Sequence, residues 1–220
     1  MFVPLKRFLY YSKKQIAMGA LLTSAIIAFT ILIVFLLNFY RDPERKIPPG
    51  NSIVSPADGK IMRIDMAEKG RNFIKKGHFG KIESLADSIS NKCFIISIFM
   101  SPLDVHINRS PVPGNVVSVK HTPGKYFAAF NLKKSLMNEK NEIIIKNSGI
   151  GKIKVIQIAG FLARRIICTA KKGDKLFKGQ KIGKIVLGSQ VTLIIPFEKV
   201  NLKVKKGQKV TGGKTIIAEY

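Results

Sequence analysis

Two different hydrophobic patterns divide the chain. From Ile16 to Tyr40 the residues are almost all apolar and none is charged. At 1.5 Å per residue this run is long enough to cross the roughly 30 Å hydrocarbon core of a bilayer, so it predicts a membrane helix. It is longer than the apolar region of a signal peptide, which is about 7–15 residues, and no small-residue cleavage site follows it. We therefore expect a retained anchor.

Basic residues lie on both sides of this anchor, so the positive-inside rule does not fix its orientation. A helical hairpin that dips into one leaflet also fits the pattern. The next segment, residues 41–50, is rich in Pro and Gly, which end the helix and form a linker. We expect an anchor over residues 1–40, a linker over 41–50 and one folded domain over 51–220.

The rest of the chain has the pattern of short strands. Apolar runs rich in Ile and Val alternate with clusters of Gly, Pro, Asn and Lys, which predicts a mainly β domain, a compact sandwich or barrel. Only Ser84–Ser90 and Asn131–Met137 have a helical pattern, and both are too short to form a packed layer. The predicted strands are Lys60–Ile64, Cys93–Met100, Val116–Val119, Glu142–Ile145, Ile153–Ala159, Arg165–Cys168 and Lys184–Leu187.

A weak internal repeat supports this β architecture. The segments starting at Lys171 and Lys205 share the pattern K-K-G-[D/Q]-K-[L/V]-x-x-G-x-x-I. This pattern resembles the turn-and-strand units of biotinyl and lipoyl carrier domains. Those carriers need a modifiable lysine, usually beside a methionine, and neither repeat contains Met-Lys. The repeat therefore predicts hairpins of a sandwiched half-barrel and says little about activity.

The formal net charge is +25, and lysines are spread through the whole domain. Such a surface attracts an anionic partner, either nucleic acid or an anionic membrane. The anchor favours the membrane, and the aromatic-interleaved basic surface that stacks on bases is missing, so we expect no nucleic-acid partner. Cys93 and Cys168 lie in apolar runs, which predicts buried, unpaired thiols in a reducing compartment. Charge and thiols together favour the cytoplasmic side.

A Gly-Ser pair interrupts the apolar run Ile185–Leu193. Glycine inside a strand pattern usually marks a bulge, a corner or a close backbone approach, and this is the ordinary explanation of Gly188. The alternative is chemical. Because glycine has no Cβ, the carbonyl of Gly188 is open to attack by the hydroxyl of Ser189.

Three polar motifs separate the predicted strands. Residues 55–59, S-P-A-D-G, are ordinary turn residues. The proline-bounded loop over 101–114 carries His106 beside acidic, amide and guanidinium side chains, and loops of this kind often position catalytic groups. His121, in H-T-P-G-K, is a second candidate in a loop.

The order of these motifs resembles one family. S-P-A-D-G, D-V-H-I-N-R-x-P-x-x-G, H-x-P-G-K-Y, Q-I-A-G-x-x-A-R-R-I and L-G-S follow one another as in phosphatidylserine decarboxylases, in particular their short, membrane-anchored form. The resemblance extends from the anchor to Tyr220. Each motif is weak alone, but five in this order, ending in Gly-Ser near the C-terminus, are specific.

The resemblance implies a self-processing proenzyme. In this family the serine attacks the preceding carbonyl to give an ester, elimination leaves dehydroalanine, and hydrolysis gives a pyruvoyl group and ammonia. For this chain it implies cleavage between Gly188 and Ser189, a covalent pyruvoyl cofactor made from Ser189, and a heterodimer of the two fragments. Such a pyruvoyl group forms a Schiff base with the substrate amine and accepts the electrons left by CO₂. No metal or external cofactor is expected.

Roles also follow from the resemblance. Asp58 matches the acidic residue of the self-cleavage triad, which orients a histidine base acting on the serine. His106 matches the first histidine of the family's H-x-x-H-x-P motif, and Arg109 replaces the second one. The division of base and proton-donor work therefore stays open, with His121 as the reserve candidate.

Arginines are the candidates for binding the lipid phosphate or carboxylate, since guanidinium binds both bidentately. For Arg164 and Arg165, a position on a solvated strand edge without a ligand is an equally weighted alternative. The candidates are Arg109, Arg164 and Arg165.

The expected activity is decarboxylation of phosphatidylserine to phosphatidylethanolamine at the cytoplasmic face of the cell (inner) membrane, where anionic lipid holds the basic domain. A related serine phospholipid, such as an archaeal type, is an alternative substrate. A membrane-tethered β-sandwich adaptor without enzymatic activity is the alternative of another class, and it predicts an uncut chain. A homo-oligomer is an alternative to a single heterodimer.

Overall fold

A computed structural model of the protein describes residues 5–68, 88–125, 127, 137–160, 165–186 and 189–220. The chain forms two compact units, Met1–Arg41 and Asp42–Tyr220. The first is helical, and the second is mainly β, as the hydrophobic pattern predicts. Most of the two predicted short helices, Ser84–Ser90 and Asn131–Met137, lies outside the described residues.

The first unit is the helix α1, Leu5–Phe39. Its 26-residue part Lys14–Phe39 is long and apolar enough to cross a membrane. The hydroxyls of Thr23, Ser24 and Thr30 donate to main-chain carbonyls one turn earlier, at 2.9, 2.8 and 2.9 Å. These intrahelical bonds satisfy the hydroxyls, so the side chains need no hydrogen bond from water, which is absent from the hydrocarbon core. The polar interruptions of the apolar run are therefore compatible with a membrane helix.

The second unit is built from antiparallel strands in three sheets. An eight-stranded sheet has the order β13-β2-β3-β11-β7-β6-β5-β9 and curls into a half-barrel, and two three-stranded sheets have the orders β1-β14-β12 and β4-β10-β8. The strands are β1 Ser52–Val54, β2 Gly59–Glu68, β3 Lys92–Met100, β4 Ile107–Arg109, β5 Gly114–Thr122, β6 Lys140–Asn147, β7 Gly151–Ile158, β8 Ile166–Cys168, β9 Lys175–Leu176, β10 Lys181–Ile185, β11 Ser189–Pro196, β12 Asn201–Leu202, β13 Lys209–Val210 and β14 Ile216–Glu219.

Most of the core lies on one face of the large sheet. Alternate side chains of the central strands, such as Ile98 and Val191, are wholly buried there, as the period of a strand requires. A second, smaller cluster contains Cys93, Ile156 and Ile194. The central strand β11 is buried along its whole length because it pairs with β3 on one side and β7 on the other.

Two Ser-Pro-x-x-Gly corners, at residues 55–59 and 110–114, are built alike and bonded to each other. The amide of Val54 donates to the carbonyl of Pro111 at 2.9 Å, and the amide of Arg109 donates to the carbonyl of Pro56 at 2.8 Å. In each corner the serine hydroxyl donates to the carbonyl two residues later, at 2.6 and 2.7 Å. These reciprocal bonds join two halves of the domain that have similar corners.

The two sequence repeats occupy equivalent places in these halves. Each one forms a turn, a two-residue strand, a second turn and a longer strand, which are β9 and β10 in one repeat and β13 and β14 in the other. The amide of Gly173 donates to the carbonyl of Val116, and that of Gly207 to Ile61, both at 2.8 Å. The φ angles of these glycines are 96° and 88°, which other residues rarely adopt.

The halves are nested along the chain. One half contains β1–β3 and β11–β14, and the other, β4–β10, is inserted between β3 and β11. The boundary between the halves in the large sheet is the pair β7 and β11. The connection over 186–188, where the chain returns from the inserted half to the first half, contains the Gly188 of the predicted cleavage site.

Candidate active site

Ser189 is the first residue of the central strand β11 and is wholly buried. It lies opposite Met100, the last residue of β3, and its Oγ donates to the Met100 Sδ at 3.4 Å. Thioether sulfur is a weak acceptor, so this bond holds the hydroxyl only loosely. Gly188 lies outside the described residues.

His106 is also buried, with 3% of its surface exposed. Its Nδ1 lies 2.8 Å from the main-chain carbonyl of Asp104. Because a carbonyl only accepts, Nδ1 must carry the proton, and the lone pair of the neutral imidazole is on Nε2. The Asp104 carboxylate in turn accepts bonds from the amide and hydroxyl of Ser101, at 2.8 and 2.7 Å, which fixes the loop.

The loop over 101–106 joins the histidine to the serine. It starts directly after Met100, which contacts Ser189, and it ends at His106, whose carbonyl accepts from the amide of Ile185 at 3.2 Å. Ile185 is the last residue of β10, just before the connection to Ser189. One end of this loop, Met100, therefore contacts Ser189. Its other end, His106, is bonded to Ile185, four residues before Ser189.

Asp58 is placed differently from the expected triad. Its Oδ2 accepts from Arg45 at 2.9 Å and its Oδ1 accepts from the amide of Gly212 at 2.7 Å. Among the described residues it makes no hydrogen bond to His106 or Ser189. The side chains of Asp58 and Arg45 are only 15% and 14% exposed, so this is a largely desolvated ion pair.

Arg109 belongs to the same charged group. Its guanidinium donates to the carbonyls of Gly179 and Pro43, at 3.0 and 3.3 Å, and to the carboxylate of Asp42 at 3.3 Å. Lys181 also pairs with Asp42. Burial lowers the pKa of Arg109, while the Asp42 charge raises it. In this structure Arg109 ties the linker to the domain.

The remaining predicted site residues lie away from Ser189 or cannot be placed. His121 is about half exposed on β5, where its Nε2 lies 3.7 Å from Glu139. Three strand spacings, about 14 Å, separate β5 from β11 in the sheet. Arg165 is exposed, and its carbonyl accepts from Val186 close to the connection before β11. Arg164 lies outside the described residues.

A chain of buried amides adjoins the serine and was not among the predicted site residues. Asn108 Nδ2 donates to Met100 Sδ at 3.7 Å, Gln157 Nε2 donates to Asn108 Oδ1 at 2.8 Å, and Asn141 Nδ2 donates to Gln157 Oε1 at 3.0 Å. All three amides are at most 2% exposed. Their one sequence signal is a polar residue in an apolar strand, such as Gln157 in I-Q-I.

The fold and the site define a β half-barrel domain built around a buried serine and a buried histidine. The family described as phosphatidylserine decarboxylase matches residues 32–218. A protein of Methanocaldococcus jannaschii, "Putative archaetidylserine decarboxylase proenzyme", is 45% identical over 193 residues, 87% of this chain and 93% of that one. The "Phosphatidylserine decarboxylase proenzyme" of Carboxydothermus hydrogenoformans is 42% identical over 188 residues, 85% and 80% of the two chains. That of Chlorobium phaeobacteroides is 38% identical over 207 residues, 94% and 89%.

The chain belongs to the phosphatidylserine decarboxylase family. The family and the enzyme class that the motifs predict, a decarboxylase of lipid metabolism made as a proenzyme, are therefore confirmed.

Proposed function

We propose that this chain cleaves itself between Gly188 and Ser189 and then uses the resulting pyruvoyl group to decarboxylate phosphatidylserine to phosphatidylethanolamine. The observation that carries the proposal is the position of Ser189. A polar, nucleophilic side chain with only a weak sulfur acceptor is wholly buried at the first residue of the central strand, directly after the nested half ends. A serine with a purely structural role would be expected to have a stronger partner.

The self-cleavage chemistry balances within the chain and one water molecule. The Ser189 Oγ attacks the carbonyl carbon of Gly188, the C–N bond breaks, and an ester and a free amine form. Loss of the Cα proton and of the Gly188 carboxylate gives dehydroalanine, and water replaces its nitrogen to leave pyruvoyl and ammonia. His106 is the proposed base, because its Nδ1 proton is held by the Asp104 carbonyl, which puts the basic lone pair of the neutral ring on Nε2.

A pyruvoyl group at residue 189 supplies a carbonyl that condenses with the substrate amine and accepts the electron pair released with CO₂. The burial of residue 189 fits this role, since exclusion of water protects a reactive carbonyl. The two fragments should remain a heterodimer, because β11 of the small fragment pairs with β3 and β7 of the large one.

We also propose the organisation of the chain. Residues 1–40 are an anchor in the cell (inner) membrane, residues 41–50 are a linker, and residues 51–220 are the catalytic domain on the cytoplasmic face. The apolar length of Lys14–Phe39 supports the anchor. The net charge of +25 and the free thiols support a cytoplasmic domain on anionic lipid.

An archaetidylserine-type lipid is a second candidate substrate. The observation in its favour is the relative from Methanocaldococcus jannaschii, which carries that substrate in its name and is 45% identical. Both lipids present the same phosphoserine amine and carboxylate, so the chemistry at residue 189 is unchanged and only the contacts to the lipid tails differ.

Intact mass under denaturing conditions tests the proposal. The wild-type chain should give two fragments, and the smaller one, starting at residue 189, should be lighter than its sequence mass by one ammonia. Ser189→Ala should give one uncut chain, and the matched control Ser118→Ala, on β5, should be cut like the wild type. An uncut wild-type chain in a folded, lipid-containing sample would reject the enzyme proposal and favour the tethered adaptor. CO₂ release from vesicles of each lipid then identifies the substrate.

A further inference from the structure

The outward face of the sheet β4-β10-β8 combines apolar and basic side chains. Ile107, Lys184 and Ile167 are register partners across its three strands, so their side chains point the same way. The alternate positions, such as Asn108 and Ile185, are wholly buried, so the Lys184 row faces outward. Ile167 is 37% exposed, and Arg165, two residues earlier, is exposed on the same side.

This surface borders the candidate active site. Leu103, in the loop that ends at His106, is 65% exposed. The carbonyl of Arg165 accepts from Val186, in the connection that leads to Ser189. We call Leu103, Ile107, Arg165, Ile167 and Lys184 the Lys184 face. It adjoins the loop that carries His106 and the connection that leads to Ser189.

The other half of the domain provides an internal comparison. The equivalent row of its three-stranded sheet β1-β14-β12 is Ser52, Glu219 and Asn201. Glu219 and Asn201 of that row are exposed and polar, Glu219 pairs with Lys203 at 2.7 Å, and Ser52 is buried. The same fold therefore accepts an acidic and a polar residue at the exposed positions of this row. The apolar and basic character of the Lys184 face is not required by the architecture.

We propose that the Lys184 face is the surface with which the domain rests on an anionic lipid bilayer, with Leu103 among the acyl chains and Arg165 and Lys184 at the level of the phosphates. Exposed apolar side chains next to cations are complementary to an interface of acyl chains and anionic headgroups. Docking here would bring the loop that carries His106 and the connection before Ser189 to the membrane. The docking deepens the proposed placement of the domain on anionic lipid, and it does not depend on the proposed chemistry at residue 189.

The chain contains no tryptophan, so one introduced indole reports one position. The probes are Leu103→Trp and, as the matched control, the exposed Asn201→Trp in the equivalent row of the other half. Both are made in full-length Ser189→Ala, which cannot form a pyruvoyl group. The readout is therefore independent of the proposed function. The protein is reconstituted in vesicles of phosphatidylglycerol and phosphatidylcholine brominated on its acyl chains.

The indole from Leu103→Trp should be quenched by the brominated chains and its emission should shift to the blue, while the indole from Asn201→Trp should stay unquenched. Equal quenching of the two, or no quenching at Leu103→Trp, would overturn the proposal. The latter result is also the one expected if a protein or a second copy of the chain covered this face.

Removal of the two cations tests whether electrostatic attraction to anionic lipid contributes to docking. Adding Arg165→Ser and Lys184→Ser to Leu103→Trp should weaken docking about fivefold for each cation removed, and added salt should do the same. The control removes two exposed lysines of the other half, Lys205→Ser and Lys206→Ser, and should leave the quenching unchanged. Equal effects of the two charge removals would overturn the assignment of docking to this face.

Discussion

Gln157 and Asn108, both wholly buried, are joined by a hydrogen bond of 2.8 Å between two strands of different sheets. Gln157→Leu removes the hydrogen-bond partner of two side-chain groups, the Oδ1 of Asn108 and the Nδ2 of Asn141. We expect a loss of about 1–3 kcal/mol of unfolding free energy for each of the two groups, because buried polar groups are costly when unpaired. Urea unfolding of detergent-solubilised Ser189→Ala protein, which remains uncut, measures it.

The double variant Asn108→Leu with Gln157→Leu checks the cause. Because both members of one hydrogen bond are then apolar, the double variant should lose less stability than the sum of the two single ones. Strictly additive losses would mean that packing, rather than the amide pair, determines the cost.

The ion pair of Asp58 with Arg45 distinguishes a chemical role of Asp58 from a structural one. Asp58→Asn keeps an acceptor for Gly212 and removes the negative charge, so Arg45 loses its carboxylate partner while Arg109 keeps Asp42. The resemblance to the family gives this carboxylate a part in self-cleavage, so we expect cleavage to slow at least about tenfold, with the cleaved fraction followed by gel over time.

Arg45→Met is the matched control, because it breaks the same ion pair and removes a cation instead. It should not slow cleavage, although it loosens the linker. If Arg45→Met and Asp58→Asn slowed cleavage equally, the pair would act only by holding the linker in place.

Gly59 should tolerate no side chain. A Cβ there would overlap the carbonyl oxygen of Phe99, and its φ of 149° is already unfavourable for other residues. We expect Gly59→Ala to cost several kcal/mol, more than the strain of about 1–3 kcal/mol alone. Gly173→Ala, with φ of 96° and nothing within 4 Å of the added Cβ, should cost only that strain. Thermal unfolding of both in Ser189→Ala protein compares them, and equal costs would exclude the Phe99 overlap.

The thiols should make the domain less stable at alkaline pH. Burial raises the pKa of Cys93 and Cys168 above 9.0. The folded chain therefore keeps the thiol proton after the unfolded chain has lost it. This contribution to stability is complete below about pH 9 and is lost as the pH rises towards the shifted values.

Cys93→Ala should reduce the loss of stability between pH 8 and the shifted pKa, measured by urea unfolding at each pH. In the native chain the wholly buried Cys93 should react with a thiol reagent only after unfolding, whereas the half-buried Cys168 reacts sooner. Rapid labelling of Cys93 in the native protein would contradict its burial.

The sequence predicts the strands and the repeat well, because both depend on local pattern. The predicted Cys93–Met100 is β3, and the two lysine-rich repeats form equivalent hairpins. The strand predicted over Lys184–Leu187 starts three residues later than the observed β10, Lys181–Ile185. The apolar run on which the prediction relied continues towards β11 across the Gly-Ser pair. Nested pairing was not predictable, because strands β3 and β11 are separated in sequence by an entire half.

The candidate site was predictable only in its residue types. Ser189 and His106 stand out as polar residues in apolar or proline-bounded segments. The partners of Asp58 and Arg109 do not, since Arg45 and Asp42 are in the linker and long-range ion pairs leave no periodic signal. The same is true of the amides of Asn108, Gln157 and Asn141, which meet only after three strands have packed.

The nested halves have a consequence for the life of the molecule. While the chain is intact, β11–β14 find their places by a unimolecular reaction. After a cut before Ser189 the same four strands are a separate peptide, held by pairing with β3 and β7 but no longer tethered to them. Refolding would then depend on concentration and would compete with aggregation of the exposed strand edges. A processed molecule that unfolded would seldom refold, so it would stay folded only as long as unfolding is slow. Its lifetime would be set by the unfolding rate and not by the folding equilibrium.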